Sequence, residues 1–330
     1  MSSDHRERWV AHGLCRGIVA QTLAAGPRSS NIGHRVVVKQ IILAMTLLPA
    51  RKSLGQHFLV DPKAHQRIVA AIAPGPEDVM VEIGPGTGLL TNHLLATPLK
   101  KLVAFELDSR AIPQLRHTFA SEGERLEIIE QDFLTVDLRA TRTRISQALL
   151  RGPNDMRLRI AGNIPYYITS PIIFKLIDER EAVRDATLLV QQEVAERLTA
   201  KPSTKAYGIP TVLANFFGEV KMLFRVPAGA FRPVPKVDSA VIHLDFDRGY
   251  FARLGEISTV NARPFDEHLF RTLVRGAFAM RRKTLRNNLK ALFSDEIMDR
   301  IETSPANRFL VQRAEALNIE HFIELLQTIS

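Results

Sequence analysis

The sequence predicts an α/β fold: a parallel sheet with helices on both faces, followed by a small α-helical domain. Two observations predict it. From Val79 onward, short apolar runs alternate with glycine or acidic turns and then with helical spacing, the order that successive βαβ units require. After Asp247 the strand-like runs stop, and from Asp266 to Ser330 apolar residues recur at helical spacing, as in Leu269, Phe270, Leu273, Val274, Ala277 and Phe278.

In chain order the expected strands are Val79–Ile83, Leu102–Glu106, Leu126–Glu130, Leu158–Ala161, Thr187–Gln191 and Val237–Phe246. Their apolar character suits strands covered on both faces. Arg248–Pro264 reads as a linker and Pro227–Pro235 as a local loop. Residues 1–44 show no helical or strand period and carry six basic residues (Arg6, Arg8, Arg16, Arg28, Arg35, Lys39) against Asp4 and Glu7. They are expected to be a disordered extension, or to precede a working start at Met45. The expected division is therefore 1–44 extension, 45–250 α/β domain and 251–330 helical domain.

With 45% hydrophobic and 24% charged residues, the composition is that of an ordinary globular protein. No run approaches the roughly 18 apolar residues of a membrane span. The single cysteine, Cys15, excludes an internal disulfide framework and any multi-cysteine zinc site, so a cytoplasmic location is expected and no metal. A net charge of +9 points toward a polyanionic partner.

Glu82-Ile83-Gly84-Pro85-Gly86-Thr87-Gly88 ends the first expected strand with a turn that lets a ligand approach the backbone. Such a turn is shared by many phosphate and nucleotide binders. Glu106 sharpens it, falling about 20 residues beyond the glycines at a strand end, where a carboxylate accepts from both hydroxyls of a ribose. Asp132 ends the third strand, where it can accept from an adenine amino group. Taken singly, each acid has a plainer reading as a helix-capping or surface residue; together behind the glycine turn they favour an S-adenosylmethionine pocket over a nicotinamide one. Glu82 either orients the turn or meets the ligand's ammonium.

The tetrapeptide Asn163-Ile164-Pro165-Tyr166 follows the apolar run Arg157–Ala161, at the carboxyl end of a strand, where ligands sit in open α/β sheets. The Asn163 side-chain oxygen and the Ile164 carbonyl can accept both protons of an adenine N6 amine. Pro165 fixes the direction of that carbonyl by restricting Ile164 to extended conformations, and Tyr166 covers the base. An ordinary turn with a half-buried tyrosine is the plainer reading. Phe231, in the Pro-rich loop, is expected to close the opposite face of the base. Between Arg271 and Lys290 the charged residues are Arg271, Arg275, Arg281, Arg282, Lys283, Arg286 and Lys290, all basic. With Asn287 and Asn288 they read as a one-signed helix suited to phosphate oxygens.

From about Ala50 to the C-terminus the chain resembles the small-subunit (16S) ribosomal RNA adenine N6,N6-dimethyltransferases of the KsgA type. The resemblance runs through Lys52-Ser-Leu-Gly-Gln-His57-Phe-Leu59, Glu82–Gly88, Phe105–Asp108, Gln131-Asp132, Asn163–Tyr166, Gln192–Arg197, Lys205–Gly208, Phe231–Ser239 and Arg281–Asn287. It implies a Rossmann-like class I S-adenosylmethionine methyltransferase sheet with a C-terminal helical domain. It implies that His57 and Leu59 border the cofactor, that Gly84, Glu106 and Asp132 bind it, and that Asn163 serves both cofactor and target. The implied substrate is two adjacent adenosines near the 3′ end of small-subunit ribosomal RNA, each methylated twice, with Arg281, Arg282, Lys283 and Arg286 as RNA contacts of a monomer. Many members have Asn where His57 stands. A noncatalytic RNA-binding factor on the same scaffold, and a large-subunit RNA or DNA target, are the competing readings.

Overall fold

A computed structural model describes residues 49–51, 54–152, 155–254 and 265–330. The expected extension over residues 1–44, and most of the expected linker, lie outside the described residues. Among the described residues, no helix is long and apolar enough to cross a membrane.

The elements in chain order are β1 (Phe58–Leu59), α1 (Pro62–Ile72), β2 (Val79–Ile83), α2 (Leu89–Leu95), β3 (Lys101–Glu106), α3 (Ala111–Thr118), β4 (Leu126–Glu130), α4 (Leu138–Ala148), β5 (Leu158–Asn163), α5 (Thr169–Asp178), β6 (Val183–Gln191), α6 (Gln192–Leu198), α7 (Ile209–Phe217), β7 (Glu219–Val226), β8 (Phe231–Arg232) and β9 (Ser239–Asp245). Helices α8 (Tyr250–Leu254), α9 (Glu267–Ala277), α10 (Leu285–Lys290), α11 (Asp295–Thr303) and α12 (Ile319–Ile329) follow.

Seven strands form one sheet in the order β4-β3-β2-β5-β6-β9-β7. Pairings β3–β4, β2–β3, β2–β5 and β5–β6 are all parallel. The chain moves outward from β2 through β3 to β4, then crosses back to place β5 on the other side of β2. That reversal opens a crevice beyond the carboxyl ends of β2 and β5. Every residue of β2 is buried, Glu82 included, as in a strand covered on both faces.

Three departures from the sequence-based expectation have physical causes. Strand β5 continues through Gly162 and Asn163 instead of stopping at Ala161, so Asn163 is held by the ladder and not by a loop. Gly162 is in the strand because the neighbouring strand presses on it: a Cβ there would lie 2.9 Å from the Ile83 carbonyl oxygen. Strand β7 was not expected, because Lys221 and Arg225 on its exposed positions interrupt the apolar signal of Val220, Phe224 and Val226. Within the expected linker, Tyr250–Leu254 is a helix, too short for its spacing to register.

The described chain divides into two compact units, Met1–Gln192 with Leu223–Ile242 and Glu193–Met222 with His243–Ser330. In the second unit Asp266 caps α9 by accepting from the Leu269 N–H at 2.8 Å. The buried face of α9 is Phe270, Leu273, Val274 and Ala277, and Phe270 packs on Phe216 of α7 with ring centroids 4.1 Å apart. The basic run Arg271–Lys290 is not one helix, since α9 ends at Ala277 and α10 begins at Leu285. It is also not uniformly free: Arg271 pairs with Glu267, Arg281 with Glu315 and Arg286 with Glu302. Asn288 is buried and donates to the Ala277 and Met280 carbonyls, which removes it as a phosphate contact. Arg275, Arg282, Lys283 and Lys290 are exposed and make no ion pair among the described residues.

Candidate functional site

The carboxyl ends of β2, β3, β4 and β5 lie side by side, so Gly84, Glu106, Asp132 and Asn163 share one edge of the sheet. They line a single cleft, open to solvent, together with His57, Ile164, Pro165 and Tyr166. A smaller adjoining recess shares Gly84 and Asn163 and adds Leu59, His65 and Glu82.

The glycine turn is built for close approach. Gly84 sits at φ 63°, in the left-handed region that glycine adopts without a Cβ penalty, and nothing lies within 4 Å of where a Cβ would stand. Glu106 ties this turn to β3: one carboxylate oxygen accepts from the Gly86 N–H and the other from the Asp108 N–H, each at 2.8 Å. Burial pushes its carboxyl above the usual range despite those two donors. Each oxygen still has a lone pair to offer a ligand hydroxyl. Glu82 is fully buried and accepts from the Thr91 hydroxyl at 2.7 Å; burial raises its carboxyl to about 8, and the charge of Glu106 adds to the rise.

Asp132 does cap a turn, accepting from the Leu134 N–H through Oδ1 at 2.9 Å. Both readings of this acid are therefore compatible, because its Oδ2 remains as an acceptor at the cleft. Ile83, Phe105, Leu107 and Phe133 complete the wall between the acids with apolar surface of the kind that holds a planar base.

At the end of β5 the Asn163 amide donates from Nδ2 to the His57 carbonyl at 2.8 Å. Its orientation is thereby set, and Oδ1 is left as the acceptor. The Ile164 N–H donates to the Leu189 carbonyl at 3.1 Å, and its own carbonyl accepts no hydrogen bond among the described residues. Tyr166 hydrogen-bonds Ser239 at 3.0 Å through its hydroxyl, and burial raises that hydroxyl above its ordinary value. The His57 ring stacks on Tyr166, with centroids 5.7 Å apart and planes 19° from parallel. Its Nδ1 lies 2.8 Å from the Pro233 carbonyl, and since a carbonyl only accepts, Nδ1 carries the proton.

Two expected residues are buried. Leu59 is buried and reaches only the smaller recess. Phe231 is fully buried in the core beside Leu59, its cross-strand partner in the short β1–β8 pairing, and does not line the cleft. The ring therefore lies beneath the cleft in this structure.

Other contributors carry little sequence signal. Gln56 donates to Asp108 at 3.1 Å and its side-chain oxygen accepts from the Arg51 N–H at 2.8 Å, which straps residues ahead of β1 to the end of β3. Hydrogen bonding from Arg110 lowers the Asp108 carboxyl to about 2. Nothing local in the sequence pairs Gln56 with a residue 52 positions away. Gly162 is the other: Gly162→Ala is expected to destabilise the protein by about 1–3 kcal/mol through overpacking, read as a lowered denaturant midpoint, and to displace Asn163 enough to reduce turnover.

The profile of the family described as "Ribosomal RNA adenine dimethylase" matches residues 48–327. Curated relatives named "Ribosomal RNA small subunit methyltransferase A" include one from Chlorobium phaeobacteroides, 42% identical over 284 residues (86% of this chain, 93% of that one). Another, from Bacillus cereus, is 40% identical over 280 residues (83% and 89%). Among solved structures, a dimethyladenosine transferase from Plasmodium falciparum superposes with a TM-score of 0.66 at 27% identity, covering 82% of this chain and 96% of that one. The 23S rRNA methyltransferase ErmE superposes at 0.58 with 23% identity, over 82% of this chain and 99% of that one, a likeness of fold.

Proposed function

The chain belongs to the ribosomal RNA adenine dimethylase family, and from that premise we propose that it dimethylates the N6 amino groups of two adjacent adenosines near the 3′ end of small-subunit ribosomal RNA. The observation that carries this reading is the convergence of Gly84, Glu106, Asp132 and Asn163 on one cleft at the sheet's switch point. S-adenosylmethionine is the proposed cofactor; bound there, it supplies an electrophilic methyl group on a sulfonium. The residues fit it. Glu106 has lone pairs left for the ribose hydroxyls, Asp132 Oδ2 for an adenine amine, and the bare Gly84 backbone allows close approach. His57 and Leu59 border it, and Glu82 in the adjoining recess is positioned for an ammonium group.

Adenine N6 is a poor nucleophile because its lone pair is delocalised into the ring. Asn163 Oδ1 and the Ile164 carbonyl, accepting its two protons, favour a pyramidal nitrogen with the lone pair directed outward. Pro165 holds that carbonyl in place, and Tyr166, braced by His57 and Ser239, stacks on the base with about 1–3 kcal/mol. Positioning of this kind supplies acceleration without a base of tuned pKa. Phe231 is proposed to hold β1, and with it His57, from below. Arg281, Arg282, Lys283 and Arg286 are proposed RNA contacts, with Arg282 and Lys283 free of acid partners. We place the protein in the cytoplasm, as a monomer contributing to small-subunit biogenesis.

Incubation with undermethylated small subunits and S-adenosylmethionine is expected to yield N6,N6-dimethyladenosine; its absence contradicts the reading. The buried Glu82 gives a second expectation. Its folded pKa of about 8 lies above the ordinary 4.5, so between those values the folded state binds more protons than the unfolded state. Stability must then fall as pH rises across that window. Glu82→Gln, which keeps an acceptor for Thr91 without the charge, is expected to weaken this decline. Denaturant midpoints of the ligand-free protein across that pH range check it; parallel profiles for both proteins would contradict it.

A further inference from the structure

Tyr167 is the only Phe or Tyr among the described residues with a largely exposed side chain, at 57%. It lines the larger cleft directly after the tetrapeptide that grips the amine. It lies with Tyr166 in one 3-10 turn, Tyr166–Ile168, where successive side chains are about 120° apart, so the two rings leave the turn in different directions. Tyr166 is tied to Ser239, whereas the Tyr167 hydroxyl has no partner among the described residues. The Tyr167 ring lies beside Gly55: a Cβ there would stand 3.2 Å from Cδ1 and 3.3 Å from Cε1. The other exposed apolar residue of this cleft, Leu107, follows Glu106 and so belongs to the cofactor end. An exposed aromatic ring beside Gly55 thus stands at the acceptor end of the cleft, uncovered among the described residues.

We infer that Tyr167 is a stacking platform for the nucleobase next to the adenine that enters the cleft. The inference rests on the proposed reaction. An adenine drawn into the cleft leaves its neighbour without a stacking partner, and that neighbour, one nucleotide away, remains at the mouth. Stacking on an aromatic ring compensates for the loss, and any base can use it because every base has a π-face. Tyr167 is a positioning residue in this account; it does not touch the transferred methyl.

The test uses steady-state kinetics on undermethylated small subunits, intact or reconstituted with RNA that carries an abasic nucleotide beside the target adenosine. Tyr167→Ala is expected to raise KM about tenfold on intact subunits with little change in kcat, and Tyr167→Phe to restore it. The abasic substrate should raise KM for the wild-type protein to a similar degree and add nothing further in Tyr167→Ala, because both remove one contact. An unchanged KM in Tyr167→Ala, an abasic substrate that the wild type handles normally, or effects that multiply would each overturn the inference. Failure of the wild-type protein to dimethylate intact subunits would instead overturn the proposed reaction itself, and appears in the first arm of the same assay.

Discussion

Asn163→Ala is expected to lower kcat/KM for methyl transfer by about 10³-fold, equivalent to about 4 kcal/mol of transition-state stabilisation. Two losses combine. The side-chain oxygen proposed to accept from the reacting amine disappears, and so does the 2.8 Å hydrogen bond that ties the end of β5 to the His57 carbonyl. His57 in turn stacks on Tyr166, so the second loss loosens the ring proposed to cover the base. The fold should survive, because Asn163 is only partly buried at the end of its strand. The expected signature is a kcat decrease in a protein with a near-normal denaturant midpoint. A variant that retained turnover within tenfold would mean that the amine is gripped elsewhere.

The largest expected loss of stability comes from the other end of the same strand. Arg159 near the start of β5 is buried and donates to both oxygens of Asp185 at 3.1 and 2.9 Å, to Asp78 at 2.8 Å and to the Ile72 carbonyl at 2.7 Å. Asp185 lies on β6 and Asp78 immediately precedes β2, so one guanidinium fastens the three central strands. Replacing both sides of such a network with apolar residues can be neutral, but removing one partner leaves buried charge without compensation. Arg159→Leu is expected to cost about 3–5 kcal/mol, with Asp185 left facing only the half-exposed Arg184. Chemical denaturation checks it. The strand ends that form the cleft are at the opposite edge, so the variant's remaining folded fraction should bind S-adenosylmethionine with ordinary affinity.

Why some of the site was legible in the sequence, and some not, follows from the range of the interactions. Gly84, Glu106, Asp132 and Asn163 each end or follow an apolar run, and parallel pairing of such runs brings their carboxyl ends together, so local pattern suffices to group them. The placement of Phe231 lies outside this local pattern. Its loop is stiffened by prolines, as expected, but what fixes the ring is a two-residue pairing with Phe58 and Leu59, far away in sequence. The Gln56–Asp108 strap is hidden for the same reason. The pairing of the basic segment is hidden because its acids are remote: Glu302 and Glu315 lie beyond Lys290, and only folding brings them to Arg286 and Arg281. Gly162 looked like the end of a strand because glycine weakens strands in general; here the approach of the Ile83 carbonyl requires it.

On the proposed reading, the cleft at the ends of β2, β3, β4 and β5 methylates adenine N6 in small-subunit RNA. The most direct measurement maps methylated adenosines in ribosomal RNA from cells that lack this protein and have regained either the wild-type chain or Asn163→Ala. The account predicts two adjacent N6,N6-dimethyladenosines near the 3′ end of the small-subunit RNA with the wild-type chain and none with the variant. Their appearance with Asn163→Ala, or methylation confined to large-subunit RNA, would contradict it.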